Sequence, residues 1–163
     1  MTTIRAARAA DFEAIGELCV RAYAEAGNLP ADDIDYATEL RNAADRAAKA
    51  ELLVAVDDDM VLGTVTVARP GGVYAEIARP GEVEFRMLAV APEAAGRGIG
   101  AALVGAVLDR ARQEDAKQVV LCVSEVATAA QRLYRRLGFE PMPERDWIPV
   151  PNFRLTAHRL LLF

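Results

Sequence analysis

The segment of the chain with the clearest chemical signature runs from Glu84 to Gly100 and reads EFRMLAVAPEAAGRGIG. Where the next helix begins, its first backbone N–H groups have no partner within the helix, and the glycines let a bulky anion approach those groups. The dipole of that helix adds partial positive charge at the same place. The spacing therefore indicates a phosphate or pyrophosphate site at residues 96–100. Tight packing of a strand against the helix explains the same glycines equally well, so the spacing alone leaves both interpretations open.

Two common phosphate-binding loops have spacings that this segment does not match. A P-loop needs Lys and then Ser or Thr directly after its last glycine, and no such pair follows Gly100. A Rossmann fingerprint needs glycines spaced G-x-G-x-x-G, whereas Gly96, Gly98 and Gly100 are evenly spaced. A phosphate site here therefore belongs to a loop of another kind.

Charge and composition exclude several other classes of function. The chain has 163 residues and a net charge of −5 at pH 7, which argues against broad nucleic-acid binding because that needs a basic surface. His158 is the only histidine, and the two cysteines do not form a C-x-x-C pair, so we predict no metal site. No apolar stretch is long enough for a membrane span or a signal peptide. We therefore expect no membrane partner and a cytoplasmic location.

The elements that must position the glycine-rich segment alternate between strands and helices. Apolar residues recur at helical spacing after Asp11, and β-branched residues alternate in a hairpin around an acidic turn at residues 57–59. The predicted strands cover residues 2–6, 51–56, 61–68, 82–90, 117–123 and 155–162. The predicted helices cover residues 12–26, 34–49, 99–113 and 128–137, and the predicted loops cover residues 69–81 and 141–151. This order predicts an α/β fold with a mixed sheet, formed by a single domain over residues 1–163.

Two blocks of the sequence resemble those of one enzyme family. The stretch LAVAPEAAGRGIGAALV, residues 88–104, is similar to the acyl-CoA-binding motif [RQ]-x-x-G-x-[GA] of the GCN5-related N-acetyltransferase (GNAT) superfamily. The stretch AAQRLYRRLGFEP, residues 129–141, is similar to the family's A-x-x-L-Y-x-x-x-G-F block. The separation of the blocks, the chain length and the element order also agree. The resemblance covers the whole chain and implies a GNAT-like domain with a mixed, mostly antiparallel central sheet flanked by helices.

The resemblance implies that the chain moves an acetyl group from acetyl-CoA to a primary amine, by direct attack in a ternary complex. In this family the strand before the glycine-rich loop is splayed, often at a bulge, and the pantetheine arm lies against it like an added strand. The implied pantetheine contacts are the backbones of Leu88, Ala89 and Val90. The implied pyrophosphate cradle is formed by Gly96, Arg97, Gly98, Ile99, Gly100 and Ala101. The side chain of Arg97 either adds charge there or is a solvated loop arginine.

Two side chains match the family's acid and base. Tyr134 matches the tyrosine near the thioester sulfur and is the candidate acid for the departing thiolate, although a core tyrosine would be the simpler interpretation without the motif. An alkylammonium must lose a proton before it can attack, so a base is required. Glu84 matches the general-base glutamate of the histone acetyltransferase branch, and an ordinary surface glutamate is the competing interpretation. Glu82 is the reserve candidate on the same strand face, and Glu76 lies in a loop that can approach the site.

Two positions depart from the family pattern. The first position of the acyl-CoA motif is Ala95 rather than Arg or Gln, and Ala127 stands where the second block usually begins with Asn. Backbone donors survive any substitution, so we expect CoA binding to be weakened rather than abolished. The same departures keep a second function open, a non-catalytic acyl-CoA-binding module with a regulatory role.

The acceptor amine, a small molecule or a protein, is set in this family by the first helices and the loops. Trp147, Tyr23 and Tyr36 are candidate pocket residues, and each is equally a packing anchor. We expect Cys19 and Cys122 to be buried structural thiols. A homodimer is a further expectation, because dimers are common in the family.

Overall fold

Eight strands and five helices form the regular structure of residues 1–27 and 34–162, which are the residues that the computed structural model describes. The strands are β1 (Thr3–Ala6), β2 (Glu51–Asp57), β3 (Met60–Ala68), β4 (Glu82–Val90), β5 (Gln118–Ser124), β6 (Glu140–Pro141), β7 (Trp147–Val150) and β8 (Phe153–Leu161). The helices are α1 (Phe12–Glu25), α2 (Ile34–Arg41), α3 (Ala43–Lys49), α4 (Ile99–Gln113) and α5 (Thr128–Arg136). None of these helices has the length and apolar character that crossing a membrane requires.

All eight strands join one sheet, in the order β1-β2-β3-β4-β5-β8-β6, and β7 also pairs with β8. Only β4 and β5 run parallel, and every other pair is antiparallel. A parallel pair needs a long crossover connection, which α4 supplies. Helices α1 and α4 both pack against β3 and β4, which therefore contribute much of the hydrophobic core. The predicted α/β fold with a mixed, mostly antiparallel sheet flanked by helices is confirmed.

Strand β4 diverges from β5 after a short parallel ladder. Residues 82–84 of β4 lie opposite residues 118–120 of β5, and the pairing ends there. On its other edge β4 carries a bulge, because Met87 and Leu88 together oppose the single residue Val65 of β3. Met87 has a left-handed φ of 54°, which bends the strand. Within the described chain, the edge of residues 85–90 that faces β5 is left without a strand partner, as the resemblance implied.

The predicted helix over residues 34–49 is instead two helices, separated at Asn42. The Oδ1 atom of Asn42 accepts a hydrogen bond from the N–H of Asp45 at 3.3 Å and so caps α3. The fully buried guanidinium of Arg46 donates to the carbonyl oxygens of Glu39 and Leu40 at 2.8 and 2.9 Å. These carbonyls belong to the last turn of α2, so Arg46 satisfies acceptors that a continuous helix would have bonded itself. The prediction was wrong because apolar spacing carries no signal of a cap inside a helical pattern.

The predicted loop over residues 141–151 contains the strand β7, which forms a hairpin with β8. Asn152 turns the chain between them with a left-handed φ of 64°. Pro149 is typical of a loop, but an edge strand tolerates proline because its outer N–H group needs no partner. The loop prediction was wrong for these four residues.

The remaining predicted elements agree with the structure to within two residues at either end. The hairpin of β2 and β3 has the predicted acidic turn, in which Asp58 and Asp59 adopt left-handed φ angles of 48° and 66°. Aspartate tolerates this conformation better than most residues, and paired left-handed residues match the twist of a two-residue hairpin.

Candidate active site

The glycine-rich loop between β4 and α4 is open to solvent and presents unpaired backbone donors. Gly96 and Gly98 have left-handed φ angles of 82° and 74°, and a Cβ atom built on either would meet no atom within 4 Å. Gly98 directly precedes α4. In the described part of the chain, the backbone N–H groups of residues 98–101 donate no hydrogen bond. Donors at a helix start that face open space fit the oxygens of a phosphate or pyrophosphate.

Gly100 has a different role from Gly96 and Gly98. A Cβ atom on Gly100 would lie 3.2 Å from Cδ2 of Leu133 in α5 and 3.6 Å from Cγ2 of Val90. The third glycine therefore lets α4 pack closely against α5. Gly100 fits the packing interpretation of the sequence spacing, and a phosphate site at Gly96 and Gly98 stays a prediction.

The side chain of Arg97 is held by a carboxylate rather than free in solvent. Its Nη2 atom donates to Oδ2 of Asp57 at 3.0 Å, while 47% of the side chain stays exposed. This hydrogen bond is the largest of the effects that hold the pKa of Asp57 below its ordinary value. Asp57 is the last residue of β2, so the ion pair ties the loop to the β2–β3 turn. A phosphate at the loop would compete with Asp57 for the guanidinium.

The two departures from the family pattern lie at the glycine-rich loop and at the start of α5. Ala95 is exposed directly before Gly96, and its methyl group brings no donor to the loop. Ala127 is buried directly before α5. The positive character of the loop therefore depends on backbone N–H groups, with Arg97 as a nearby side chain.

The unpaired edge of β4 leads toward this loop. Ala89 and Val90 pair on one side with Thr64 and Gly63 of β3. The other side of residues 88–90 faces the gap that opens where β5 diverges. An extended ligand with amide groups can add to such an edge as an extra strand.

Tyr134 packs against β4 at the point where the gap begins. Its ring centroid lies 5.7 Å from that of Phe85, the first unpaired residue of β4, and 5.9 Å from that of Phe139. Burial raises the pKa of the Tyr134 hydroxyl above its ordinary value, so the group stays protonated. Among the described residues this hydroxyl has no hydrogen-bond partner, and it is not one of the fully buried atoms. It is therefore available to donate to a ligand.

Glu84 ends the β4–β5 ladder and is fully buried. Its Oε1 atom accepts three backbone hydrogen bonds, from the N–H groups of Glu76, Ile77 and Ala78 at 2.9, 3.0 and 3.0 Å. Its Oε2 atom is buried and has no partner among the described residues. Burial raises the pKa of Glu84, although the three N–H donors oppose the rise. The carboxyl group holds the loop before β4 in place and is closed off from solvent.

Glu82, the reserve candidate for the base, is locked in an ion pair. Arg145 donates to its two carboxylate oxygens at 2.7 and 2.8 Å, and Gln118 and the N–H of Arg79 also donate to it. Burial alone would raise the pKa of Glu82, but these bonds outweigh it and lower the pKa to about 2. A carboxylate held so firmly in its ionised form is too weak a base to take a proton from an ammonium group.

Glu76 lies beside Glu84 and keeps access to solvent. Its side chain is 20% exposed, and its Oε1 atom lies 3.1 Å from Nε of Arg86. Burial raises the pKa of Glu76, Arg86 opposes the rise, and the charges of Glu84 and Glu39 add to it. The sequence placed Glu76 in a loop near the site. It carried no signal of the pair with Arg86, because a loop residue and a strand residue meet only in the folded chain.

The two cysteines are protonated, and the histidine already has a partner. Cys19 is buried, as predicted, whereas Cys122 is half-buried. Burial raises the pKa of the Cys19 thiol to about 11 and that of Cys122 to about 12. The Nε2 atom of His158 lies 3.0 Å from Oγ1 of Thr156. Residues 1–27 and 34–162 contain no cluster of three or more His, Cys, Asp and Glu side chains suited to a metal ion.

A comparison with protein families identifies the chain. The model of the acetyltransferase (GNAT) family matches residues 6–139, a range that includes the unpaired edge of β4, the glycine-rich loop and Tyr134. The chain belongs to the GNAT acetyltransferase family. The match also spans the first of the two sequence blocks on which the resemblance was based and residues 129–139 of the second. No curated protein sequence matches the chain.

Solved structures of GNAT proteins share the fold of this chain. An acetyltransferase of the GNAT family from Staphylococcus aureus Mu50 is 16% identical, with a TM-score of 0.79 over 100% of both chains. PaiA N-acetyltransferase from Thermoplasma acidophilum, solved with coenzyme A, is 15% identical, with a TM-score of 0.77 over 96% of this chain and 98% of that one. YncA from Salmonella typhimurium, solved with its cofactor acetyl-CoA, is 24% identical, with a TM-score of 0.67 over 100% of this chain and 95% of that one. At these identities the comparison establishes the fold.

Proposed function

We propose that this GNAT chain is an acetyl-CoA-dependent N-acetyltransferase that moves the acetyl group to a primary amine. One observation carries the proposal: the unpaired edge of β4 leads into a loop whose backbone N–H groups are free. A ligand with an extended, amide-bearing arm and a pyrophosphate at one end is complementary to that arrangement. The proposal is also supported by the acetyl-CoA and the coenzyme A in the structures of YncA and PaiA.

Acetyl-CoA would be held mainly by backbone groups. The pantetheine arm would pair with the edge of residues 88–90, and the pyrophosphate would lie against residues 96–101. The open space over Gly96 and Gly98 leaves room for those phosphates. A chain of net charge −5 can bind this polyanion because the positive potential is confined to one helix start and Arg97. When bound, acetyl-CoA supplies the thioester carbonyl that the amine attacks.

In the proposed reaction Tyr134 stabilises the departing thiolate. Its hydroxyl is protonated, has no partner among the described residues and lies against Phe85 where the gap begins. Because burial raises the pKa of this hydroxyl, it donates a hydrogen bond to the thiolate more readily than it gives up its proton. Tyr134 is therefore a hydrogen-bond donor to the leaving group.

Two carboxyl groups are candidates for the base that deprotonates the amine. Glu84 is the base that the family pattern implies, and Glu76 is its neighbour in the preceding loop. The geometry favours Glu76, since its carboxylate is partly exposed whereas that of Glu84 is closed off by protein. Glu84 then acts as a positioning residue, because its Oε1 atom fixes the backbone N–H of residue 76.

A non-catalytic acyl-CoA-binding module is the second candidate function. Ala95 and Ala127 favour it, because each replaces a polar residue of the family pattern with a methyl group. The unpaired donors of the loop and the protonated Tyr134 favour the enzyme.

Turnover measured together with binding distinguishes the two functions. Tyr134→Phe should lower kcat by roughly 100-fold while the Kd for CoA changes by less than about two-fold, because the substitution removes a group used only during the reaction. The readouts are CoA thiol release across a panel of amines and calorimetric titration with CoA. Binding of acetyl-CoA without acetylation of any amine would favour the module. If kcat is unchanged in Tyr134→Phe, Tyr134 takes no part in the reaction.

A further inference from the structure

Arg86 is a largely buried cation whose hydrogen-bonding capacity is mostly unused. Only 14% of its side chain is exposed, and a guanidinium carries five N–H donors. Its Nη1 atom donates to the carbonyl oxygen of Tyr74 at 3.2 Å. Among the described residues, its Nε and Nη2 atoms donate no hydrogen bond, and neither is a fully buried atom. Such a group is suited to an anionic ligand, most of all to a carboxylate, which a guanidinium can bind through two parallel hydrogen bonds.

The carboxylate of Glu76 lies directly beside this cation. Its Oε1 atom is 3.1 Å from Nε of Arg86, and no described residue donates a hydrogen bond to the Glu76 side chain. Glu76 therefore keeps acceptor capacity for an ammonium or amine group. The two side chains together present one negative and one positive group at adjacent positions.

The pair faces the gap where the thioester of acetyl-CoA would lie. Arg86 is two residues beyond Glu84, the last paired residue of β4. Cys122 of β5 lies across the gap, near the same charges. Burial raises the pKa of its thiol, a hydrogen bond with Trp147 opposes the rise, the charges of Glu76 and Glu84 add to it, and Arg86 opposes it. The half-buried rings of Tyr23 and Tyr36 lie on the helix side with their centroids 6.1 Å apart. These rings offer an apolar wall beside the charged pair.

We propose that the acceptor carries a carboxylate beside its amine, so that the chain acetylates the α-amino group of a free amino acid. The inference rests on the proposed function and names its substrate class. The acceptor carboxylate binds Nη2 of Arg86, whose Nε lies beside Glu76, and the acceptor ammonium donates to the Glu76 carboxylate. The apolar wall of Tyr23 and Tyr36 favours amino acids with apolar side chains.

The transfer balances with the groups already described. The acceptor ammonium gives one proton to the Glu76 carboxylate, which later returns it to solvent. The neutral amine then attacks the thioester carbonyl, forming a C–N bond. The C–S bond breaks, and its electron pair stays on sulfur as a thiolate, which Tyr134 stabilises by hydrogen bonding. The second proton of the reacting nitrogen passes to solvent as the amide forms, and the thiolate takes a proton from solvent as CoA leaves.

Matched acceptors test the role of the carboxylate. The twenty common L-amino acids are assayed with acetyl-CoA, and L-leucine and L-phenylalanine are each compared with their amide and with isoamylamine or phenethylamine, which lack the carboxylate. We expect kcat/KM to be at least roughly 100-fold higher for the free acids, because the other acceptors leave Arg86 unpaired. The amides have the larger fraction of neutral amine at neutral pH, so a preference for the acids cannot come from amine basicity.

Arg86→Gln then tests whether this guanidinium is the cause. The variant should reduce the preference for the acid over the amide to within a few-fold, because both acceptors then lack a guanidinium partner. Arg112→Gln, the same change at an exposed residue of α4, keeps the wild-type preference. Calorimetric titration of the CoA-loaded wild-type protein with L-leucine and L-leucinamide gives the same comparison without turnover, whether or not the variant folds.

The outcomes separate this inference from the proposed function. The inference is overturned if the amides, the simple amines or peptide N-termini are acetylated at rates equal to or above those of the free amino acids. The proposed N-acetyltransferase function is then kept. The inference is also overturned, and the N-acetyltransferase kept, if other amines are acetylated but none of the twenty amino acids is. An absence of any acetylated product overturns the proposed function and the inference with it.

Discussion

At the scale of single residues, the partners of each carboxyl group decide its chemistry. Glu76, Glu82 and Glu84 lie in one short stretch of sequence, yet the structure gives them different protonation behaviour. Hydrogen bonds from Arg145, Arg79 and Gln118 hold Glu82 ionised. Burial instead raises the pKa of both Glu76 and Glu84. Of these three, only Glu76 combines a raised pKa with access to solvent. A raised pKa brings a carboxylate closer to the basicity that proton transfer near neutral pH requires.

Glu76→Gln should remove the acid limb of the pH profile of kcat/KM. The base must be ionised to accept a proton, and the pKa of Glu76 is raised, so wild-type kcat/KM should rise with pH through a group above the ordinary value of 4.5. Initial rates at saturating acetyl-CoA across the pH range give the profile. Glu140→Gln, the same change at an exposed ion pair with Arg159, is the matched control and should keep the wild-type profile. Loss of the limb in Glu84→Gln alone would instead make Glu84 the base.

Asp57→Asn should tighten the binding of CoA by roughly three-fold, because it frees the Arg97 guanidinium for the phosphates. In an Arg97→Ala background the same substitution should have a smaller effect, since there is no guanidinium to release. Calorimetric titrations of the four proteins at low salt give this double-mutant cycle. An equal effect in both backgrounds would mean that Arg97 does not reach the phosphates.

At the scale of elements, β4 and the loop that follows it form the proposed site. The bulge at Met87 and the short β4–β5 ladder open the gap, and the left-handed Gly96 and Gly98 open the loop at its end. Gly100 closes α4 onto α5, the helix that carries Tyr134. The position of the tyrosine relative to the loop therefore depends on a contact that only glycine permits.

Gly98→Ala should weaken CoA binding and lower stability together. A side chain at φ 74° costs about 1 kcal/mol of folding free energy, and its Cβ atom enters the space proposed for the phosphates. Gly71→Ala, at φ 81° in another open loop, should cost similar stability and leave CoA affinity unchanged. Gly105→Ala, inside α4 with nothing within 4 Å, should raise stability by about 0.5–1 kcal/mol. The readouts are urea denaturation and CoA titration. Unchanged CoA affinity in Gly98→Ala would place the phosphates elsewhere.

Local pattern predicted most of these elements but not every boundary or side-chain partner. Strands and helices with strong apolar periodicity were predicted to within two residues, and the two motifs located the loop and Tyr134. The break at Asn42 was missed because Arg46 folds back on α2 only in the tertiary structure. The strand β7 was missed because its pairing with β8 overrides the local signal of Pro149. The burial of Glu84 could not be predicted from the sequence either, because the N–H groups that bind its carboxylate come from a loop.

At the scale of the whole molecule, one buried ion pair joins three separate parts of the chain. Glu82 begins β4 and accepts hydrogen bonds from Arg79 before it, from Gln118 of β5 and from Arg145 in the segment between β6 and β7. Its side chain is 1% exposed. The pair therefore fixes the paired end of the β4–β5 ladder, next to Glu84 and the gap.

Glu82→Gln should lower stability near neutral pH by about 3 kcal/mol, the value of a pKa lowered from 4.5 to about 2. Because the folded-state pKa is depressed, this stabilisation is present above pH 4.5 and is lost as the pH falls toward 2. Urea denaturation gives the free energy of unfolding of both proteins at several pH values below neutrality. The difference between the two free energies should shrink below pH 4.5. Glu140→Gln should stay within about 0.5 kcal/mol of wild type throughout. A difference that does not change with pH would contradict the ionised pair.

The most direct test of the N-acetyltransferase is the stoichiometry of product formation. The purified chain is incubated with acetyl-CoA and a panel of amino acids and other amines, and mass spectrometry of the amine is followed together with free CoA thiol. We predict an N-acetylated amine formed one-for-one with free CoA, and a rate that falls in Tyr134→Phe. Binding of acetyl-CoA with no acetylated amine anywhere in the panel would contradict the enzyme and leave an acyl-CoA-binding module.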